Sequence, residues 1–343
     1  SIRFRRAVLS GLSQAVAWER TGAFSLIGSQ RASKNACHGM AIDTEAARLL
    51  LMGAGSGISF ADTITLGRQR YLPNDTESRR LLREFGVDAA KHPDLFANPD
   101  RARYAEPFFR LLGARRVESI DASGFEGATL VHDFNRPVGS ELEGQFDVVY
   151  DGGTLEHVFD FLAAIRNCIA LVRVGGRVIL HTTANNYFGH GFYQFSPELF
   201  FRIFAPENGF ALERLIAIEY GPCRRWREVR DPALIEARTP LINAYPVLLF
   251  VQARKEANGP LFEPPPQQSD YRALWGKRSG QGGSDGAAER PMPAPLPARL
   301  KRIVIGRWPG LARMIEALWY SRWNRNYSFR NRVTFQPVDK RRS

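Results

Sequence analysis

Glu156 and His157 stand side by side in Tyr150-Asp151-Gly152-Gly153-Thr154-Leu155-Glu156-His157-Val158. A carboxyl beside an imidazole can take a proton from a hydroxyl or an amine, since histidine changes charge close to neutral pH. The pair follows a short apolar run, residues 146–150, that ends in Asp151 and two glycines. The apolar pattern then returns, which predicts a helix over 155–171 with the pair in its first turn. A helix N-terminus favours Glu156 as an anion and opposes protonation of His157. A third candidate, His190, lies in Tyr187-Phe188-Gly189-His190-Gly191-Phe192-Tyr193-Gln194-Phe195. Flanking glycines cost order and supply no contacts. They fit a mobile, aromatic-lined lid that contributes His190, Tyr193 or Gln194; a structural loop whose aromatics cap the core is the plainer alternative. Glu156 and His157 lack a third ligand in the sequence, so no metal site is read from them.

These residues need a frame. Between Glu45 and Ala253 buried-strand patterns alternate with helix patterns. Strands are predicted at 63–66, 117–120, 128–131, 146–150, 177–182, 211–219 and 245–252. Helices are predicted at 76–85 behind Asp75 as cap, 103–112, 155–171, and 197–204 behind Ser196 with Pro197 at the first position. Strands separated by helices imply an α/β fold with a doubly wound, mostly parallel, seven-stranded sheet. Sites in such sheets lie beyond the carboxyl ends of the strands.

Composition sorts the chain into four regions: an N-terminal extension (1–44) of open fold, the α/β domain (45–254), a Pro/Gly/Ser-rich linker (255–298) and a basic tail (299–343). The net charge of +12 belongs mostly to the tail, where 12 Lys and Arg face only Glu316 and Asp339. Cys37, Cys168 and Cys223 form no Cys-x-x-Cys pair, which fits neither a disulfide framework nor a zinc motif and suits a reducing, cytoplasmic setting. No run approaches the ~20 apolar residues of a membrane span. The first residues lack the apolar block of a secretory signal, and Ser1 in place of Met points to a processed start. In the tail, Leu311, Met314, Ile315, Leu318 and Trp319 recur at helical spacing among arginines. Such a helix packs on its own domain or a partner subunit, or lies on anionic lipid as a peripheral contact through 299–328. No RNA or DNA module is present, so only non-specific nucleic-acid contact is open to it.

The order of elements and residue types over 60–255 resembles the class I S-adenosylmethionine-dependent methyltransferases, and the block through Ser196-Pro197-Glu198-Leu199-Phe200 is similar to a bacterial subgroup of them. The resemblance implies S-adenosylmethionine as cofactor. It implies that Asp121, at the tip of the second strand, accepts from both ribose hydroxyls, that Asp133 after the third strand addresses the adenine amine, and that Asp151 and Gly152 lie near the methionine moiety. The family's Gly-x-Gly-x-Gly turn should follow the first strand. Gly53-Ala54-Gly55-Ser56-Gly57 matches as a string but precedes a β-branched run, so it is read as a turn before that strand. The positional match is Gly67 in Leu66-Gly67-Arg68-Gln69, a degenerate version with one glycine. The implied activity is methyl transfer to oxygen or nitrogen of a small molecule or saccharide, with Glu156, His157 and His190 on the acceptor side. Two alternatives stand beside it: a non-catalytic scaffold or regulatory relative, and a membrane- or RNA-associated protein acting through its tail.

Overall fold

The computed structural model describes residues 41–97, 103–263, 265–272, 314 and 327–338. The N-terminal extension up to residue 40 and most of the tail, with all of its apolar stripe except Met314, lie outside the described residues.

Asp43 starts helix α1 (Thr44–Gly55) by accepting from the Ala46 N–H at 2.8 Å. The helix ends in the glycine string, where Gly57 takes a left-handed φ of 91° and turns the chain toward strand β1 (Asp62–Leu66). Helix α2 (Asp75–Glu84) is capped by Asn74 rather than by Asp75. The Asn74 side chain accepts from the Glu77 N–H, and the Glu77 carboxylate accepts from the Asn74 N–H, a reciprocal box that Asp75 has no geometry to make. Helix α3 (Glu106–Leu111) starts later than predicted because the backbones of Arg103 and Ala105 are hydrogen-bonded to Tyr71 and Gln69.

Strands β2 (Arg116–Asp121), β3 (Leu130–Val131) and β4 (Phe146–Asp151) follow, then helix α4 (Phe161–Leu171) and strand β5 (Val172–Thr183). The predicted helix over 155–171 is broken. Residues Leu155–His157 form one 3-10 turn, Val158 is extended, and Asp160 restarts the helix by accepting from the Ala163 N–H. Helix α5 (Pro197–Ile203) is capped by Ser196, and strands β6 (Phe210–Glu219), β7 (Arg225–Val229), β8 (Val247–Lys255) and β9 (Phe335–Pro337) complete the chain with a short helix α6 (Pro232–Ile235).

The strands form one sheet in the order β3-β2-β1-β4-β5-β8-β6-β7-β9. Pairs from β3 to β5 are parallel, and β8 runs antiparallel between β5 and β6. The fold is class I methyltransferase-like, but with nine strands among the described residues rather than seven. Neither extra strand shows as a buried run: β7 alternates arginines and a glutamate with buried Trp226 and Val229, and β9 is three residues within the basic tail. Phe329 and Phe335 belong to the core, so this part of the tail is built into the domain rather than appended to it. The linker likewise begins inside the fold, with Phe262 buried in the same core.

Both sheet faces are covered, with side chains alternating along each strand. Val148, Tyr150, Ile179 and Phe250 pack with Leu49, Leu82 and Phe108 of α1, α2 and α3. Val149, Val178, Leu180 and Leu249 pack with Ile165 and Phe200 of α4 and α5. Such double burial explains why the central strands read as continuous apolar runs. The chain winds from β1 toward β3 on one side and from β4 toward β5 on the other, so the switch point lies between the tips of β1 and β4.

Candidate functional site

At that switch point Leu66 is in register with Asp151 and with Ile120, which brings the tips of β1, β4 and β2 together. Gly67 bends away with φ 67°, and a Cβ there would stand 3.1 Å from the Thr154 hydroxyl and 3.6 Å from Oδ2 of Asp121. Gly67 and Asp121 therefore lie side by side. The Thr154 hydroxyl donates to the Leu66 carbonyl at 2.9 Å and stitches the turn after β4 to the end of β1. Gln69 Nε2 donates to the same carbonyl at 2.5 Å, and its Oε1 would be 2.3 Å from a Cβ on Gly152. Gly152 thus leaves room for Gln69. Arg68 is held by Glu106 at 2.6 Å and lies 3.8 Å over the Tyr104 ring. Asp133 is engaged locally: its Oδ1 accepts from the side chain and backbone of Asn135, and these bonds hold its carboxyl below the ordinary range. Thr154 and Gln69 were missed as site residues, because a threonine in a turn and a glutamine in a loop carry no pattern of their own.

Around the turn after β4 the geometry is tighter. Asp151 is fully buried at the end of β4; its Oδ1 accepts from the Thr154 N–H at 2.8 Å and its Oδ2 has no partner. Glu156 is also fully buried, with Oε2 accepting from the Thr182 hydroxyl at 2.9 Å and Oε1 unpartnered. Burial pushes both carboxyls above the ordinary range, and the Asp151 charge adds to the effect on Glu156. The expectation of a Glu156 anion favoured by a helix N-terminus is overturned, since the residue sits on an isolated 3-10 turn where desolvation dominates. His157 projects from the same turn at the exposed rim.

The loop after β5 closes over this turn. The Phe192 N–H donates to the Glu156 carbonyl at 2.7 Å. His190 comes to rest with its ring 5.0 Å from that of His157, edge to face. Partial burial lowers the pKa of both imidazoles, and His190 lowers that of His157 further, so each is neutral at pH 7 with a lone pair to offer. Of the three loop residues offered as contributors, His190 is the one beside Glu156 and His157. Tyr193 donates to the Phe159 carbonyl at 2.6 Å, and Gln194 accepts from the Tyr187 N–H at 3.0 Å, so both brace the loop. One oxygen or nitrogen each from Glu156, His157 and His190 lies within 4.8 Å of the others. His190 lies 33 positions after His157, and only the fold brings the two near.

No family model matches the chain, and no curated protein does. Solved structures similar to parts of it include a 1,6-didemethyltoxoflavin-N1-methyltransferase from Burkholderia thailandensis, 15% identical over 74% of this chain and 90% of that one, with a TM-score of 0.36. A branched-chain polyamine synthase from Thermus thermophilus is 14% identical over 73% of this chain and 64% of its own, with a TM-score of 0.33. A putative methyltransferase from Bacillus halodurans is 11% identical over 62% and 99%, with a TM-score of 0.35. The fold rests on the strand order, not on these values.

Two other polar features lie away from this cluster. A cavity of about 620 Å³ opens beside Glu143, Ile169 and Lys255, at the amino end of β4; the Lys255 ammonium donates to the Ile169 and Val172 carbonyls instead. On the α1 face, Asp43 accepts from the Tyr220 hydroxyl at 2.6 Å, and that hydroxyl lies 3.4 Å from Nε2 of fully buried His181. Burial lowers the His181 pKa, against the pull of Asp43. Above about pH 6.5 the imidazole is neutral in folded and unfolded chains alike; below it the unfolded chain takes the proton first, so stability falls with pH. Denaturant midpoints at pH 7.5 and 5.5 should therefore drop more for the natural protein than for His181→Gln. The comparison isolates His181 from Asp151 and Glu156, whose raised values act with the opposite sign. Equal drops would remove His181 from the balance.

No helix among the described residues is long and apolar enough to cross a membrane.

Proposed function

We propose that the protein transfers the methyl group of S-adenosylmethionine to an oxygen or nitrogen of a small molecule or saccharide. The observation that carries this reading is the meeting of Gly67, Asp121 and Thr154 at the switch point, in a cradle that a side chain on Gly67 would fill. The residues present fit the donor. Asp121 would accept from its ribose hydroxyls, Gly67 would let the backbone approach it, and the turn after β4 would flank its methionine end. The donor supplies a methyl group on a sulfonium, whose transfer is a direct displacement governed mostly by alignment. The chain's own part is to hold the acceptor in line and to relieve it of a proton. Glu156, His157 and His190 sit on that side, and the exposed rings of Phe159, Phe188 and Phe192 give a sugar or a flat ring a surface to lie on.

A second reading, a non-catalytic relative, is favoured by one observation: the side chain of Gln69 stands against Gly152, one of the residues expected beside the methionine end of the donor. Calorimetric titration with S-adenosylmethionine and S-adenosylhomocysteine separates the two. Micromolar binding supports the donor site; a folded protein that binds neither supports the second reading. Within the first, Asp121→Ala should weaken donor binding by about tenfold or more, as expected when hydrogen bonds to a charged group worth about 1.5–3 kcal/mol are lost. Unchanged affinity would take Asp121 out of the site.

A further inference from the structure

Among the described residues, Glu156 and His190 each leave a buried polar atom without a partner, and both residues belong to one cluster. Oε1 of Glu156 is the free half of a fully buried carboxyl whose other oxygen is taken by Thr182. Nε2 of His190 is likewise shielded and unbonded. Unsatisfied buried polar atoms are costly, and a carboxyl oxygen more than most. A cation held by this cluster would give such atoms a partner.

The backbone is built to keep them there. His190 stands between Gly189 at φ 83° and Gly191 at φ 68°, a conformation other residues adopt only at a cost. Gly191 lies so close to the Glu156 carbonyl that a Cβ would be 2.7 Å from it. The Phe192 N–H bonds that same carbonyl. Thr182, itself fully buried on β5, holds one carboxyl oxygen of Glu156 and so restrains the side chain. Outer partners of this kind orient metal ligands.

We propose that Glu156, His157 and His190 bind one divalent transition-metal ion. Two imidazoles and one carboxylate suit zinc and its neighbours in the first row. Ligand atoms about 2.1 Å from such an ion stand roughly 3.3 Å apart, so the three side chains rotate inward from their present spacing. His157 lies at the rim, which leaves the ion's remaining positions facing solvent and the exposed phenylalanines. Three protein ligands with an open side is the pattern of an ion that takes a substrate oxygen rather than one that only holds a fold together. Its use on the acceptor rests on the methyl-transfer reading above; its binding does not.

The test uses the full chain, stripped with a chelator, dialysed and titrated with zinc by calorimetry and with cobalt by visible absorption. Zinc should bind at one ion per chain, and cobalt should show the bands of nitrogen and oxygen ligands without a thiolate charge-transfer band. His157→Ala and His190→Ala should each weaken zinc by at least about tenfold, a loss already typical of removing an outer partner. His157 is exposed, so its variant keeps the fold and keeps the test decisive should His190→Ala prove unstable. No stoichiometric binding to the natural protein, or binding undiminished in His157→Ala, overturns the site. Titrating the stripped protein with S-adenosylmethionine reads the donor site separately: an ion site without donor binding leaves this inference standing and removes methyl transfer.

Discussion

Gly191→Ala should destabilise the loop over Glu156 and abolish most acceptor-side function, while Gly189→Ala, two residues away, should do much less. Both glycines hold left-handed backbone, which costs an L-residue about 1–2 kcal/mol. They differ in what a Cβ would meet. At Gly189 nothing lies within 4 Å, whereas at Gly191 the new atom would fall 2.7 Å from the Glu156 carbonyl oxygen. That oxygen is backbone, and it already accepts from Phe192 and Tyr193, so it cannot swing aside as a side chain could. Either the loop lifts and takes His190 with it, or the turn carrying Glu156 moves. Denaturant unfolding should show the shared conformational cost in both variants, with an added loss of about 1–3 kcal/mol at Gly191, the range for strain forced into a packed region. Turnover should fall much further in Gly191→Ala than in Gly189→Ala. Equal effects would mean that the loop does not need its seat on Glu156.

His157→Ala should lower turnover about a hundredfold or more and leave donor affinity nearly unchanged. Groups that manage a proton in the transition state contribute about 10²–10⁴ in rate. His157 stands on the turn after Thr154 and faces His190, not the Gly67–Asp121 cradle, so donor binding should not register its loss. A fall in turnover with donor affinity held is the signature of an interaction made only with the reacting acceptor. Donor affinity falling in parallel would place His157 in the cradle instead, and an unaltered rate would make it structural.

Much of this arrangement was readable in the residues. The central strands β1, β4, β5 and β8 announce themselves as apolar runs because both sheet faces are buried there, and Gly67, Asp121 and Asp151 mark the strand ends where backbone must turn. What failed did so for local reasons. The apolar period carries straight through residues 155–171, yet Asp151 draws the Thr154 N–H to itself and Asp160 draws that of Ala163, so two side chains divide one helix into a turn and a helix. That division is what removes Glu156 from a helix end and buries it. The meeting of His190 with Glu156 and His157 depends on how β5 and its loop fold back, and no spacing in the sequence encodes it. Asp133 adds a partner that the sequence does not show: one oxygen of this strand-end acid is taken by Asn135 two residues later.

The ninth strand has a consequence for how the molecule is made. Val229 pairs with Phe335 and Arg227 with Pro337, roughly a hundred residues further along the chain. Closing so long a loop adds only slowly to the entropy of folding, but during synthesis it imposes an order. Every other strand of the sheet can pair while β9 is still unmade. Until it arrives, β7 shows an open row of donors and acceptors to any neighbouring nascent chain, the situation in which strands from different molecules join. When β9 does arrive it brings Pro337, which has no N–H to offer, at its outer end. The last piece of the sheet to be translated is thus also the one that seals its edge.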